Sequence, residues 1–491
     1  MAANNFTITI EAPFGGFAPA YWENQYGSFG NKNMARSMQN IDMSDPTGLK
    51  QGPGLSTLTN GTQAGAVSTL IRHILPIAVS ADRSFAIGGD QLYEISSTAV
   101  TNAGNFPHTI SNGGSEDGES TCYYNGDLYY FYNNASGGDI GQFDLSSTFD
   151  DNWGSTVPAT GAAALNNAPH PSIVGSDSVM YFGNGRYVGY YDGNSDTLSP
   201  EDFDTPEGGE VVDVRYLASR VWVAVNRPNL TGSNNSEAIV YTWAGVGAAS
   251  WDDQPNPRIY GKIGALYAFQ GSMFVWYQEV GYTGGYKLGI IAGDRIDELE
   301  AYSGTLPSFY QVGEKNGMLV WISDGEFHRW GAVDKNVPIV HHQFADAGFS
   351  TVGGFASPFG TILVASNQST SYKLAAHSGL DTNASWKSLF WRTGPAMIDR
   401  VRVWHSDPDT GAAVDMTLYS EEEADSLVLA LAGQTRTISN TDDDGRGFKE
   451  FQPGFKVSAE CSIGIDYTNG STSNPLLIKR IDIIGHFLDT K

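Results

Sequence analysis

Four acidic side chains in the middle of the chain are the first candidates for catalysis, and they are Asp324, Glu326, Glu279 and Glu298. Glycoside hydrolysis needs two carboxyl groups at a fixed separation, one acting as the acid and the other as the nucleophile or base. No spacing in the sequence pairs two of these residues. The stretch 323–325 followed by Trp330 also departs from the spacing of the Asp-box that marks sialidase blades. We therefore find no glycosidase motif.

One acidic stretch has the spacing of a calcium loop. Asn440, Asp442 and Asp444 place oxygen ligands at alternate positions, and Gly445 occupies the sixth. The twelfth position of such a loop holds a bidentate Glu, and here it is Phe451. The three oxygen-bearing residues are a weak candidate metal site, and a solvated acidic turn is the preferred interpretation.

The other reactive side chains lack the arrangement that catalysis requires. His341 and His342 are adjacent, so on a strand they point to opposite faces and do not share a metal ion. Cys122 and Cys461 lie far apart in apolar surroundings and are expected to be buried free thiols. The sequence contains no nucleophile elbow, P-loop or dinucleotide fingerprint. It therefore predicts no enzymatic activity and no cofactor.

The composition favours strands and excludes some partners. The 491 residues include 58 Gly, and aromatic residues make up 12% of the chain. With 54 acidic and 28 basic residues, the net charge is −26, which argues against tight binding to nucleic acid. No stretch of 18 uninterrupted apolar residues occurs, so no membrane span is predicted. The N-terminus lacks the pattern of a secretory signal.

A hairpin repeat organises the chain and positions any site. Residues 318–322 form an apolar run, Asp324-Gly325 has the composition of a tight turn, and residues 326–330 alternate polar and aromatic. Similar strands begin 36 to 52 residues apart, at Leu92, Leu128, Met180, Val221, Met273, Met318 and Ile362. Several strands per period of this length predict an all-β protein containing a β-propeller of about six to eight blades. A series of β-sandwiches is the alternative.

The chain has three regions that differ in sequence pattern. Residues 1–65 are predicted to be an extended N-terminal arm, residues 66–379 the propeller, and residues 380–491 a C-terminal antiparallel domain resembling a sandwich. Short helices are considered at 33–41 and 421–431, the latter against a strand at 427–431. The arm is expected to lie across another surface, because disordered tails are usually poor in aromatic residues. Its candidate interaction residues are Phe14, Phe17, Tyr21, Trp22, Tyr26 and Phe29.

Two short stretches resemble a known family. The segment 48–55, GLKQGPGL, is similar to the opening of tail hub (nozzle) proteins of short-tailed bacteriophages, in which a Gly-Leu…Pro-Gly segment runs into the first blade. The segment 88–93, GGDQLY, resembles their first blade strand, although it has two residues where the family pattern Gly-Gly-x-Leu-Tyr has one. The residues that carry the resemblance are Gly48, Leu49, Pro53, Gly54, Gly88, Gly89, Leu92 and Tyr93. The strand at 478–484 fits the same layout, whereas the spacing between blades two and three does not.

The resemblance implies a structural virion protein. Such chains form a homo-oligomeric ring, usually of six, which extends the DNA ejection channel below the portal and adaptor. The expected partners are other copies, portal and adaptor, and tail fibre or spike proteins, and the expected location is the tail of a virion assembled in the host cytoplasm. A channel for double-stranded DNA must not hold it, and a chain of net charge −26 fits that requirement. Acidic residues cluster loosely, at turn-like stretches such as 116–119 and 442–444.

Two other functions remain open from the sequence. A carbohydrate-binding or glycan-cleaving propeller is one alternative, because propellers also carry glycosidases. Another tail or baseplate component with a similar fold is the second.

Overall fold

The computed structural model describes most of the chain between residues 5 and 488. The described ranges are 5–12, 35–39, 41–42, 48–51, 55–57, 66–67, 69–77, 83–96, 99–100, 106–205, 209–227, 237–248, 250–252, 256–315, 317–324, 326–331, 340–345, 351–356, 363–368, 371–377, 384–388, 391–406, 413–420, 436–439, 448–457, 460–469 and 476–488.

Most of the described chain forms small antiparallel sheets, which we number as blades. Blade 1 contains His73–Ile77, Arg83–Gly88, Gln91–Ser96, Ala99–Val100 and His108–Thr109. Blade 2 contains Asp117–Tyr124, Asp127–Asn134, Gly137–Phe143 and Phe149–Asp150, followed by a one-turn helix at Trp153–Thr156. Blade 3 contains Ser172–Val174, Met180–Asn184, Tyr187–Asp192 and Thr197–Asp204.

Blades 4 and 5 share one long strand. Blade 4 contains Glu210–Leu217, Arg220–Arg227, Glu237–Trp243 and the start of Arg258–Phe269. Blade 5 contains the rest of that strand with Ser272–Glu279, Gly285–Ala292 and Arg295–Ser303. Blade 6 follows a 3-10 turn at Phe309–Gln311 and contains Val312–Lys315, Met318–Ser323, Glu326–Gly331 and Val340–Ala345. Blade 7 contains Thr351–Ala356, Leu363–Gln368 and Ser371–His377.

The blades close into a wheel. The first strand of each blade lies beside the first strand of the next, and Thr351–Ala356 of blade 7 returns to His73–Ile77 of blade 1. Two short strands from the start of the chain, Leu55–Thr57 and Ala66–Val67, pair with Ser371–His377 and complete blade 7. Within the described residues the chain therefore forms a seven-bladed β-propeller closed by strands from both ends of the propeller region.

Apolar side chains between consecutive blades hold the wheel together. Between blades 1 and 2, for example, Phe85 and Ile87 pack against Leu128 and Tyr130, and all four are fully buried. Comparable clusters lie between each following pair up to blades 5 and 6, and Ala365 of blade 7 joins the cluster of blade 1. A strand that is buried on both faces has apolar residues at consecutive positions, and this explains the continuous apolar runs from which the repeat was predicted.

The predicted repeat is confirmed, except that the strand predicted for blade 1 is the third of that blade and not the second. The predicted strand starts in blades 2 to 7 match the second strand of each blade, whereas Leu92 lies in the third strand of blade 1. The matching second strand in blade 1 is Arg83–Gly88. Counting from Arg83 to Asp127 gives 44 residues, so the short first interval results from this misalignment.

The glycine pair of the phage-like motif lies where the second strand of blade 1 turns into the third: Gly88 ends the strand Arg83–Gly88, and Gly89 lies in the turn before Gln91–Ser96. Gly89 has φ +52°, and a Cβ on Gly88 would lie 2.3 Å from the carbonyl oxygen of Leu70 and 2.7 Å from the Cα of Ile71. Backbone atoms cannot move aside as a flexible side chain can. Gly88 is therefore required for the close approach of two backbone segments.

Replacing Gly88 with Ala is expected to destabilise the propeller by about 2–3 kcal/mol, because the new methyl group clashes with backbone. The control is Gly114→Ala: Gly114 has φ +87° but open space around its Cβ position, so only the roughly 1 kcal/mol of backbone strain applies. Urea unfolding followed by far-UV circular dichroism measures both. Equal midpoints for the two variants would contradict the close approach.

The remaining strands form a sandwich of two sheets. The first sheet contains Asn5–Glu11, Ala396–His405, Phe448–Phe451, Phe455–Val457 and Ile478–Phe487. The second contains Ala35–Gln39, Ala384–Ser388, Trp391–Arg392, Ala413–Ser420, Arg436–Ser439 and Glu460–Asn469. Ile41–Asp42 pairs separately with Lys50–Gln51. Trp386, Ile398 and Ile483 are among the fully buried side chains of the core between the sheets.

The N-terminal region supplies edge strands to both sheets of this sandwich. Asn5–Glu11 pairs along its whole length with Ile478–Phe487, and Ala35–Gln39 pairs with Ala384–Ser388. The helix considered at 33–41 is wrong, because pairing in a sheet overrides weak local helix signals. The helix considered at 421–431 lies outside the described residues. The predicted domain boundaries at 65 and 379 stay predictions.

A search for long apolar helices in the described parts of the chain finds none with the length and hydropathy needed to cross a membrane.

Candidate functional site

A pocket opens on the propeller axis at the end where the inner strands begin. It has a volume of about 430 Å³, which lies within the range of small-molecule sites. Residues from blades 1 to 6 and their connections form it, namely Arg72, Glu119, Pro169, Val212, Asn226, Lys262, Ile263, Gly264, Leu306, Ser308, Phe309 and Tyr310. We call it the axial pocket.

An ion-pair cluster forms one wall of the axial pocket. The Arg72 guanidinium, which precedes the inner strand of blade 1, donates to the Glu119 carboxylate and, at 2.7 Å, to Asp117 Oδ2. Asn133 Nδ2 donates to Glu119 Oε1 at 3.0 Å. Burial raises the pKa of the Glu119 carboxyl, and the charge of Arg72 opposes that rise. The cluster joins blade 1 to blade 2 and presents a carboxylate and a guanidinium side by side.

A single lysine lies on the blade 5 side of the axial pocket. Lys262 is exposed and stands in the strand Arg258–Phe269. Among the described residues, no hydrogen bond or ion pair involves its ammonium group. The nearby amide of Asn226, by contrast, is used twice: it donates to the carbonyl oxygen of Ile263 and accepts from its N–H, both at 2.9 Å. Lys262 is therefore the charged lining residue that is available to a ligand.

Phe309 forms the floor of the axial pocket. Phe309 is 7% exposed, and Arg215 Nη2 donates to its carbonyl oxygen at 3.0 Å. The ring of His73 from blade 1 lies 6.2 Å from the Phe309 ring. Burial and the charge of Arg215 lower the pKa of His73 to about 3, so this imidazole is neutral near pH 7. Residues from blade 1, blade 4 and the turn before blade 6 thus meet at the floor of the pocket.

A buried carboxylate supports this floor from blade 4. Asp213 accepts from the N–H of Leu266 at 2.7 Å, from the N–H of Val214 at 2.8 Å, and from Arg215 Nε at 3.2 Å. Its side chain is 0% exposed. Burial raises the pKa of Asp213 to about 6, although Arg215 and the two N–H groups favour the charged form. Asp213 therefore ties blade 4 to blade 5 and holds Arg215 under Phe309.

Two of the four candidate catalytic carboxylates from the sequence, Glu279 and Glu298, come together on one lysine, away from the axial pocket. Asp324 accepts from the N–H of Thr305 at 3.0 Å and from its hydroxyl at 2.6 Å, which fixes a connection between blades. Glu279 and Glu298 both pair with Lys287, at 2.8 and 2.9 Å, on the outer part of blade 5. The side chain of Glu326 lies outside the described residues. None of the four is among the described residues that line the axial pocket.

The other predicted site residues are distributed as follows. The candidate calcium residues 440–444, the arm aromatics between 14 and 29, and the motif residues Pro53 and Gly54 lie outside the described residues. His341 and His342 are consecutive positions of the strand Val340–Ala345. Among the described residues, no group of three or more His, Cys, Asp or Glu side chains is placed to hold a metal ion. Cys122 and Cys461 are free and buried, and burial raises the pKa of each thiol to about 12.

The motif residues of the phage-like segments have structural positions. Leu49 is fully buried, and its N–H and carbonyl oxygen bond to the backbone of Ile478 at 2.8 and 2.9 Å. Leu92 and Tyr93 are buried in blade 1. A Cβ on Gly48 would lie 2.6 Å from the carbonyl oxygen of Ile478. These residues connect strands, and none of them lines the axial pocket among its described residues.

Sequence reasoning missed the axial pocket. Residues 116–119 were interpreted as an acidic turn, but Asp117–Tyr124 is the inner strand of blade 2, and Glu119 faces the pocket. One signal was present in the sequence of Glu210–Leu217. Asp213 and Arg215 interrupt an otherwise apolar strand there, and a buried charge is expected to have a partner or a function.

No protein-family model matches this chain, and no curated protein sequence does so either.

Solved structures resemble the fold at low sequence identity. A glycoside hydrolase family 43 arabinoxylan arabinofuranohydrolase from Bacillus subtilis has 10% identity and a TM-score of 0.31 over 86% of this chain and 96% of the hydrolase. YCF48 from Cyanidioschyzon merolae has 9% identity and a TM-score of 0.44 over 66% of this chain and 98% of YCF48. The extracellular domain of a hybrid two-component system from B. thetaiotaomicron has 9% identity and a TM-score of 0.42 over 73% of this chain, and this chain covers 44% of that protein.

These similarities concern the fold alone, and they bring one correction. An enzyme, the arabinofuranohydrolase, is among the similar structures, so the fold is one that enzymes also use. This finding contradicts the prediction of no enzymatic activity, and that prediction is withdrawn. The absence of a contiguous motif does not decide this question, because a site on a propeller is assembled from residues of separate blades.

Proposed function

We propose that this chain is a structural protein of a bacteriophage tail, in which copies form a ring that extends the DNA ejection channel. The observation that carries the proposal is the path of the N-terminal segment. Leu49 bonds to Ile478 in the sandwich, and six residues later Leu55–Thr57 enters the blade that closes the propeller. One of the two segments that resemble phage tail hub proteins, 48–55, thus begins beside a strand of the sandwich and ends in a strand of the propeller.

Charge supports the same proposal. A net charge of −26 per chain, repeated around a ring, would repel duplex DNA and let it slide without retention. We propose that the channel runs between copies of the chain and not along the propeller axis, where Phe309, Arg215 and His73 meet. Portal, adaptor and tail fibre or spike proteins are the proposed partners, and the virion tail is the proposed location.

Electron microscopy of the purified full chain, alone and with portal and adaptor proteins, tests this proposal. We expect rings with an open lumen and no retention of duplex DNA at physiological salt. A chain that stays monomeric under all these conditions would contradict it. Rings found at another position in a virion would instead support a different tail or baseplate component.

The axial pocket favours a second candidate function, which is the binding or cleavage of a glycan. Its lining combines Arg72 and Glu119 with the aromatic residues Phe309 and Tyr310, and it is open to solvent. The solved structures with a similar fold agree better with this alternative, since one of them is a glycoside hydrolase and none of those named is a phage tail protein. The described lining supplies one carboxylate, Glu119, whereas the two-carboxylate mechanism needs a pair. Glycan binding is thus the chemistry that these residues support.

A glycan array and a sugar-release assay on the full chain test the second candidate. We expect retention of particular glycans that is lost on Glu119→Gln, a change that preserves shape and removes the charge. Glu298→Gln, on the outer part of blade 5, is the control and should leave retention unchanged. Retention that responds equally to both changes would contradict the assignment to the axial pocket.

A further inference from the structure

The axial pocket has an asymmetric distribution of charge that bears on its ligand. On one wall, Arg72 is already paired with the carboxylates of Glu119 and Asp117. On the blade 5 side, Lys262 carries a positive charge with no partner among the described residues. The pocket therefore has, on one side, a polar cluster of one guanidinium and two carboxylates with a net charge of −1, and, on the other side, a lysine cation without a described partner.

From this arrangement we propose that the axial pocket binds an anionic sugar unit, a hexuronate, with its carboxylate on Lys262. The inference rests on the second proposed function and names the class of ligand for that site. In a chain of net charge −26, the general field repels anions, so selectivity for an anionic sugar must come from a local cation. Lys262 supplies that cation.

The opposite wall matches the hydroxyl groups of a sugar. Arg72 has five N–H donors, and its two described ion pairs leave others for a ligand. Glu119 accepts from Arg72 and Asn133 through Oε1, which leaves Oε2 for a ligand hydroxyl. A donor and an acceptor side by side suit two neighbouring hydroxyls, each of which both donates and accepts.

Apolar surface completes the site. Phe309 forms the floor, and Pro169, Val212 and Leu306 lie around it. The faces of a sugar ring carry C–H groups, so a ring lying on Phe309 removes apolar surface from water while its hydroxyls point to the walls. A volume of about 430 Å³ accommodates a small ligand of this kind.

Calorimetric titration of the full chain with D-glucuronate and with its neutral parent D-glucose tests this inference. We expect D-glucuronate to bind more tightly, and Lys262→Gln to weaken D-glucuronate binding about 10-fold or more, the usual worth of a charge-assisted hydrogen bond. The same change should leave D-glucose binding unaltered. Lys262 is exposed, so the variant is expected to fold. Lys456→Gln, at an exposed lysine of the sandwich, is the matched control and should change neither titration.

The outcomes separate this inference from the function on which it rests. Equal binding of both sugars, sensitive to Glu119→Gln but not to Lys262→Gln, would overturn the anionic preference and leave glycan binding at the pocket standing. D-glucuronate binding that responds to neither change would place the ligand elsewhere and overturn the inference. No binding of either sugar, together with no retention on the glycan array, would overturn both.

Discussion

Trp321→Ala is expected to destabilise the propeller by about 3–5 kcal/mol, one of the largest effects of any single substitution in this chain. Trp321 is fully buried in the hairpin of blade 6, and its indole N–H donates to the hydroxyl of Tyr286 at 2.7 Å. Its ring stacks on His328 at 5.2 Å between centroids and meets Tyr302 edge-on at 5.1 Å. The substitution leaves a cavity at the contact of blades 5 and 6 and removes one hydrogen-bond donor to a buried hydroxyl.

Urea unfolding monitored by far-UV circular dichroism measures the effect. Tyr260→Ala is the control, because this aromatic side chain is 79% exposed and its removal should change stability by no more than about 0.5 kcal/mol. Trp321→Phe keeps part of the ring and should lie between wild type and Trp321→Ala. If Trp321→Ala unfolds at the same urea concentration as Tyr260→Ala, the packing between blades 5 and 6 is not as described.

Asp213→Ala is expected to cost about 3–5 kcal/mol, because it leaves Arg215 without its carboxylate partner in the interior. It also leaves the N–H groups of Leu266 and Val214 without an acceptor. The matched control is Asp297→Ala. Asp297 also pairs with an arginine two positions away, Arg295, at 2.9 Å, but the side chains of that pair are 50% and 72% exposed. A surface pair of this kind contributes at most about 1 kcal/mol, so similar losses in the two variants would contradict the burial of Asp213.

The effect of Asp213 also has a pH dependence with a definite sign. Its pKa is raised to about 6 in the folded chain, compared with about 4 for an unfolded Asp. Between these values the folded state binds more protons than the unfolded state, so the contribution of Asp213 to stability is largest at low pH. It falls as pH rises through the window and is constant above it. The difference in unfolding free energy between wild type and Asp213→Ala should therefore be larger at pH 4 than at pH 7. A difference that grows from pH 4 to pH 7 would show that the pKa is lowered instead.

Hairpins were predictable because their signals are local. Asp324, which has φ +49° in the turn of blade 6, precedes a Gly, and the strands on either side carry the alternating or apolar patterns of a pleated sheet. The same reasoning placed Leu92 one strand too far along. Blade 1 has successive hairpins, and the repeat length alone does not show which of its strands is the second.

The axial pocket was not predictable for the opposite reason. Arg72, Glu119 and Lys262 belong to three blades and lie up to 190 positions apart, counting from Arg72 to Lys262. In each local context they look like ordinary solvated charges. Only the closure of the wheel brings the starts of the inner strands to one end of the axis. Burial there raises the pKa of the Glu119 and Asp213 carboxyl groups.

The sequence by itself determined that this chain is all-β, that its middle repeats a hairpin unit, and that a resemblance to phage tail hub proteins lies in segments 48–55 and 88–93. The tertiary structure decided the number of blades, the edge strands that the N-terminal region gives to the sandwich, and the pairing of Leu55–Thr57 with Ser371–His377. Turn residues and side-chain alternation act over a few positions, whereas these pairings join residues hundreds of positions apart. Their choice depends on which exposed strand edges remain when the rest of the chain has packed, and that information is absent from any local pattern.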